Sequence, residues 1–263
     1  MKYGEHVRNS EEVIDEVKCK VDKHEPFCLT RFGDGEAVFI NMRPLNVFFA
    51  KANQWGLLNK ENVVSTQIKL IKSMAESDYV GIPVGKWAKE YAYNWIEDIL
   101  NGYNIKVKNV VDCFIHLEIA KRLNHDKFLK DKKVALISCH SCEEEISNFL
   151  EADVKIYNIP KDREKVTFPS MDVMVKTHIK NWGKESNAPW DTYKKLCLTI
   201  EKEVKTFDVW LISAGVYGKL YCNQIKKLGG CAIDIGSVVD AWNNRECRPW
   251  FPDEIKNKFN KNK

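Results

Sequence analysis

The sequence predicts an α/β protein, Rossmann-like, with a mostly parallel sheet flanked by helices. Three observations carry that prediction. Short apolar runs, readable as buried strands, alternate with longer segments whose apolar residues recur at helical spacing. The runs end in small or polar residues, at 32–36, 138–142, 213–218 and 234–237. No internal repeat, low-complexity linker or sharp boundary divides the 263 residues, so a single domain is expected, with its core over about 25–245 and a tail at 253–263.

The elements follow in order. Residues 9–23 read as a capped amphipathic helix with apolar positions 13, 14, 17 and 21. A strand follows at 27–31, then a short helix at 36–42 and a strand or buried turn at 46–52. A helix over 61–76 is expected to turn Val63, Val64, Ile68, Leu70, Ile71 and Met74 inward. Tyr79–Pro83 reads as a strand ending at a Gly/Pro turn. Helices at 86–100 and 113–124 flank a strand at Val107–Val111. The second half is more regular, with strands at 133–138, 154–159, 207–213 and 231–236. Helices at 141–151, 189–205 and 216–228 alternate with them. In such sheets ligands bind outside the carboxyl ends of the strands, so the four tips should converge on one crevice.

Hydrophobic content of 44 % and charged content of 30 % are those of a soluble globular chain. No apolar run is long enough to span a bilayer, and Met1–His6 does not read as a signal peptide, so a cytoplasmic protein is expected. Nine cysteines then read as mostly reduced, buried thiols. A net charge of +4 gives no reason to expect a nucleic-acid partner. The basic residues are 34 Lys and only 7 Arg, which makes each Arg more informative.

The segment Phe27–Glu36 carries the most chemistry. Its apolar run ends in a loop with Arg31, Gly33, Asp34, Gly35 and Glu36. The glycines permit a tight turn and close backbone approach to a ligand. If the tip stays extended, Asp34 and Glu36 point the same way. Two hard oxygen ligands there suit Mg2+ or Mn2+ shared with a phosphate, and Arg31 adds a fork of donors for an anion. A plain surface turn uses the same residue types.

At Ser213–Lys219 a strand passes into a helix through Ser213, Ala214 and Gly215. A phosphate can approach the N–H groups of that helix start, with Lys219 as a second cation; a tight turn packed for its own sake is the alternative. The loop Ser138–Cys142 leads instead into Glu143, Glu144 and Glu145, which would repel a phosphate. Glu144 there can meet a sugar hydroxyl or act as a base. Cys139 and Cys142 have the spacing of a redox pair or half a zinc site, but no second Cys pair complements them. Asp234, at a strand tip, can bind a sugar hydroxyl, serve as a base, or cap the next segment. His116 reads as a satisfied core imidazole rather than a catalytic one. His178 opens a polar, Trp-rich stretch, and Trp182, Trp190, Trp242 and Trp250 can either stack on a sugar or pack in the core.

Leu29–Glu36, with its Arg-Phe-Gly-Asp-Gly-Glu run, resembles the opening signature of the GT-D fold glycosyltransferases, which use an Asp-x-Glu motif. Gly229–Ser237 also looks like that family, and the strand-helix order agrees along most of 25–245. The resemblance implies a nucleotide-sugar donor, a UDP-sugar first among them, and a glycan or glycoconjugate acceptor. It also implies Mn2+ or Mg2+ held by Asp34 and Glu36 near the donor diphosphate, and transfer of a sugar, most simply a hexose. Arg31, Gly33, Gly35, Ser213, Gly215 and Lys219 would then bind the donor, with Asp234 and Glu144 as candidate bases. Two alternatives on the same architecture are a metal-independent nucleotide- or adenosylmethionine-binding transferase and a catalytically silent binding module.

Overall fold

A computed structural model describes residues 6–43, 45–55, 57, 60–84, 93–160, 188–243 and 251–256. Eight strands form one parallel sheet: β1 (Val7–Arg8), β2 (Phe27–Arg31), β3 (Tyr79–Ile82), β4 (Val110–Asp112), β5 (Lys133–Ser138), β6 (Asp153–Asn158), β7 (Val209–Ile212) and β8 (Cys231–Asp234). Their order is β1-β4-β3-β2-β8-β7-β5-β6, and every pair is parallel. The helices are α1 (Ser10–Asp22), α2 (Asp34–Asn41), α3 (Leu45–Gln54), α4 (Lys60–Glu76), α5 (Tyr93–Gly102), α6 (Ile115–His125), α7 (Glu143–Leu150), α8 (Ala188–Glu203), α9 (Gly215–Lys227) and α10 (Val238–Trp242).

Strand pleat sorts the core into two layers. Phe27 and Leu29 of β2, Val209 and Leu211 of β7, and Cys231 and Ile233 of β8 pack against α1, α6 and α10. Cys28, Trp210, Ile212 and Ala232 face the opposite layer, with α2, α4, α8 and α9. Asp234 continues the parity of Ala232, so it faces the α9 side. That is why a strand-tip carboxylate meets a helix lysine rather than water.

The tips of β2, β8 and β7 form a topological switch. The chain leaving β2 enters the α2 layer and the chain leaving β7 enters the α9 layer, on one face. The chain leaving β8, which lies between them, enters α10 on the other face. In open α/β sheets such a point, outside the carboxyl ends of the strands, is where ligands bind.

Several elements depart from the sequence expectation. Residues 46–52 form part of α3, not a strand or turn. Their apolar run is helical because Phe48, Ala52 and Trp55 repeat at i, i+4 and i+7 and bury against Phe39. On α4, Val64 and Ile68 are about half exposed (42 % and 49 %), and Thr66 and Ser73 take the buried face instead. Ser73 faces inward because its hydroxyl donates to the Lys219 carbonyl, 2.9 Å away. The strand expected at 107–111 lies at Val110–Asp112. The two-residue β1 and the short α10 had no periodicity long enough to signal them. Residues 86–92, His178, Trp182, Trp250 and 257–263 lie outside the described residues. The described cysteines are all free, as expected of reduced thiols. No described helix is long and apolar enough to cross a membrane.

Candidate active site at the tips of β2, β7 and β8

The centre of the site is a buried ion triad. Lys219 Nζ lies 2.9 Å from Glu36 Oε1 and 3.2 Å from Asp234 Oδ2. It also donates to the Gly215 carbonyl at 3.0 Å, one helical turn back. Three contacts match the three donors of an ammonium group. Glu36, Lys219 and Asp234 are all buried. Burial alone would raise the Glu36 carboxyl, but the Lys219 charge and hydrogen bonds outweigh it and hold it down at about 2. Burial likewise opposes the Lys219 charge, and Asp234 and Glu36 overcome that and raise its pKa. Glu36 and Lys219 therefore stay ionised through the neutral range.

Glu36 has a second role. The α2 helix starts at Asp34 with Gly33 as its N-cap, and Glu36 Oε2 accepts the Gly33 N–H at 3.0 Å. This is the reciprocal half of a capping box. The tip is therefore helical rather than extended, and positions 34 and 36 do not share a face as an extended tip would have required. The Asp34 side chain falls outside the described residues. Gly35 lies in the same first turn, against the Lys51 side chain.

Arg31, the last residue of β2, crosses the tips of neighbouring strands. Its Nε donates to the Cys113 carbonyl at 2.6 Å, the only hydrogen bond of its guanidinium among the described residues. Its two Nη groups remain for an anion. Asp112 lies nearby, its carboxyl raised by burial and only partly offset by the Phe114 N–H it accepts. His116 is a core imidazole as expected: Nδ1 meets the Cys113 carbonyl at 3.0 Å and the ring packs on Phe251.

Gly236 binds these parts together. It has φ +55°, its N–H donates to Asp234 Oδ1 at 2.9 Å, and its carbonyl accepts Ser213 Oγ–H at 2.6 Å. A Cβ at this position would overlap Arg31 Nη1. Gly236→Ala is therefore expected to displace Arg31 and to strain a left-handed turn, at about 1–3 kcal/mol. Urea unfolding measures the stability loss, and phosphate-dependent thermal shifts measure the weakened anion site.

The α9 helix begins at Gly215 with Ala214 as its N-cap, which has no side chain able to cap it. Its first-turn N–H groups keep the property that favours an anion. By contrast α1 is capped by Asn9, whose Oδ1 accepts from Glu11 at 2.8 Å.

Four of the expected site residues have these surroundings. Lys219 is enclosed by acceptors, so it holds two carboxylates together instead of reaching a phosphate. Asp234 is 1 % exposed and already faces Lys219 and the Gly236 N–H, so it positions the turn rather than deprotonating an acceptor. Glu144 is exposed on the first turn of α7, after β5, and no contact joins it to the triad among the described residues. Ser213 spends its hydroxyl on Gly236. Trp190 and Trp242 are core rings, packed on Tyr193 and Phe149 respectively.

The sequence reading missed His140 and Asp240. His140 is buried, and its Nε2 lies 2.6 Å from Asp240 Oδ1 on α10. Hydrogen bonds to Asp240 and then Cys139 raise the imidazole to about 9 against the effect of burial. A His at a strand tip was visible, but a partner 100 positions away was not.

The sequence matches the GT-D fold-like domain family over residues 8–168. The chain belongs to this family. The matched span of the GT-D-like chain includes Arg31 and Asp34 to Glu36 but ends before Lys219 and Asp234. No curated protein matches it. Similar solved structures include a glycosyltransferase (DUF1792) from Streptococcus sanguinis, at TM-score 0.57 and 15 % identity, covering 90 % of this chain and 84 % of that one. Another is the domain of unknown function 1792 described as having a distinct glycosyltransferase fold, at TM-score 0.54 and 16 % identity, covering 89 % and 85 %. These likenesses extend the shared fold across both halves of the sheet in the GT-D-like chain.

Proposed function

We propose that this GT-D-like protein is a metal-dependent glycosyltransferase that moves a sugar, a hexose first, from a nucleotide-sugar donor to a glycan or glycoconjugate acceptor. The observation that carries the reading is that Arg31, whose Nη groups make no hydrogen bond among the described residues, and the uncapped start of α9 lie at neighbouring strand tips, beside the Asp34–Glu36 turn of a GT-D-like chain.

The residues fit a hard divalent cation. Asp34 would supply carboxylate oxygens, and Asp234 Oδ2, which faces the Lys219 charge, has no hydrogen bond among the described residues. Both Glu36 oxygens are already engaged, so Asp34 would be the principal ligand and Glu36 would act through its fixed charge. When bound, Mn2+ or Mg2+ supplies charge neutralisation for the departing nucleoside diphosphate. Arg31 adds a bidentate donor to the same phosphates, and the first-turn amides of Gly215 and its neighbours add partial positive charge. Lys219 balances Glu36 and Asp234, which keeps the floor of the crevice from repelling an anion. Gly33 holds the start of α2 and Gly35 lets the donor approach its backbone.

Hydrolysis of UDP-, GDP- and dTDP-sugars, each with and without Mn2+, tests the reading. Metal-dependent release of one nucleoside diphosphate is expected, with the UDP-sugar first. Thermal stabilisation by adenosylmethionine without metal, and by no nucleoside diphosphate with it, would refute it.

A further inference from the structure

Cys139 lacked a set of partner ligands along the sequence, and the fold supplies two, neither of them Cys142. The loop after β5 brings Cys139 and His140 against Asp240 of α10. One ligand atom from each of the three lies within 4.8 Å of the others. His140 is buried, while Cys139 and Asp240 are partly exposed, so the cluster is reachable from solvent without being loose. His140 is fixed by its backbone too, since its N–H donates to Ser138 Oγ at 3.2 Å. Cys142, in the same loop, accepts Asn243 Nδ2–H at 3.4 Å. That contact ties the loop again to the end of α10.

We propose that Cys139, His140 and Asp240 form a second metal site, specific for a thiophilic divalent cation such as Zn2+. Thiolate, imidazole and carboxylate together suit zinc and not the hard cations of an all-oxygen site. Tetrahedral zinc with bonds of about 2.0–2.3 Å places its ligand atoms roughly 3.3–3.8 Å apart. The present spread of up to 4.8 Å needs closure of at most about 1.5 Å by side-chain rotation, and opening of the His140–Asp240 hydrogen bond from 2.6 Å. Binding replaces the proton shared by His140 and Asp240 and releases the thiol proton of Cys139 to solvent. Three protein ligands leave a fourth position for water or another oxygen ligand. The site also clips α10 to the tip of β5. Because α10 directly follows the Gly236 turn, the cation would brace the helix that continues from the turn packed on Arg31.

Chelator-treated protein in a non-thiol reductant is titrated with Zn2+ by calorimetry and with Co2+ by absorption spectroscopy. One Zn2+ per chain is expected, with a thiolate-to-cobalt charge-transfer band and a raised melting temperature. Cys139→Ser should abolish the band, and Asp240→Asn should weaken zinc binding at least about tenfold. Cys142→Ser and Asp34→Asn should retain both signals, which separates this site from the donor-site metal. Absence of the band in the wild-type chain overturns the proposal, as does a band that survives Cys139→Ser. Should Asp240→Asn fail to fold, Cys139→Ser alone decides, because that side chain is only partly buried.

Discussion

Lys219→Met is expected to destabilise the folded protein by about 3–5 kcal/mol, because it strands two buried carboxylates without a counter-charge. Glu36 and Asp234 are each within 3.2 Å of the ammonium, and neither has enough exposure to recover water. Equilibrium urea denaturation measures the loss. The triple variant Lys219→Met, Glu36→Gln, Asp234→Asn should recover part of it, since replacing an entire buried ion cluster costs less than breaking one. A single variant within about 1 kcal/mol of wild type would mean that the triad contributes little to the fold.

The same triad makes a pH prediction for chelator-treated protein. The Glu36 carboxyl is depressed from 4.5 to about 2 on folding. Its contribution is therefore complete above the unfolded value and is lost as pH falls from about 4.5 towards 2. Lys219 is raised from 10.5, so its contribution is complete below that value and is lost as pH rises through the higher folded one. Between these limits the stability from Glu36 and Lys219 should be flat, and Lys219→Met should remove or reverse the acid-side slope, because burial then raises the Glu36 carboxyl.

Asp34→Asn is expected to behave in the opposite way. It should lower metal-dependent donor hydrolysis by more than about 100-fold, since a direct ligand matters more than the outer-shell partners that cost 10–100-fold. Its melting temperature should stay near or above that of wild type, because the change removes negative charge from a crevice that already holds Glu36 and Asp234. Glu36→Gln should lose both stability and activity. Hydrolysis assays beside thermal melts for the two variants distinguish a metal ligand from a structural carboxylate. Unfolding of Asp34→Asn with donor binding intact would make Asp34 structural.

The strands β2, β5, β7 and β8 were readable along the chain because each is a short apolar run closed by small or polar residues. The Arg31–Glu36 loop was readable for the same reason, together with the scarcity of Arg. The 46–52 segment was not, because a short apolar run has no period of its own until its neighbours at Phe39 and Trp55 are in place. Nor was the state of the Asp34–Glu36 turn legible. Extended and helical backbones differ there through a capping bond between Gly33 and Glu36, which residue types alone do not select over an extended tip.

By itself the sequence determined the parallel α/β architecture, the GT-D-like signature and the place of Arg31 at a strand tip, since all three depend on local pattern. Only the tertiary structure decided which partners Lys219, Asp234 and His140 meet. Lys219 had the look of a phosphate-binding cation until strand pleat turned Asp234 to its side of the sheet and α2 brought Glu36 above it. His140 had no visible partner until α10 folded over β5. Charge roles depend on which opposite charge lies within a few ångströms, and that distance is set by packing between segments far apart in the chain.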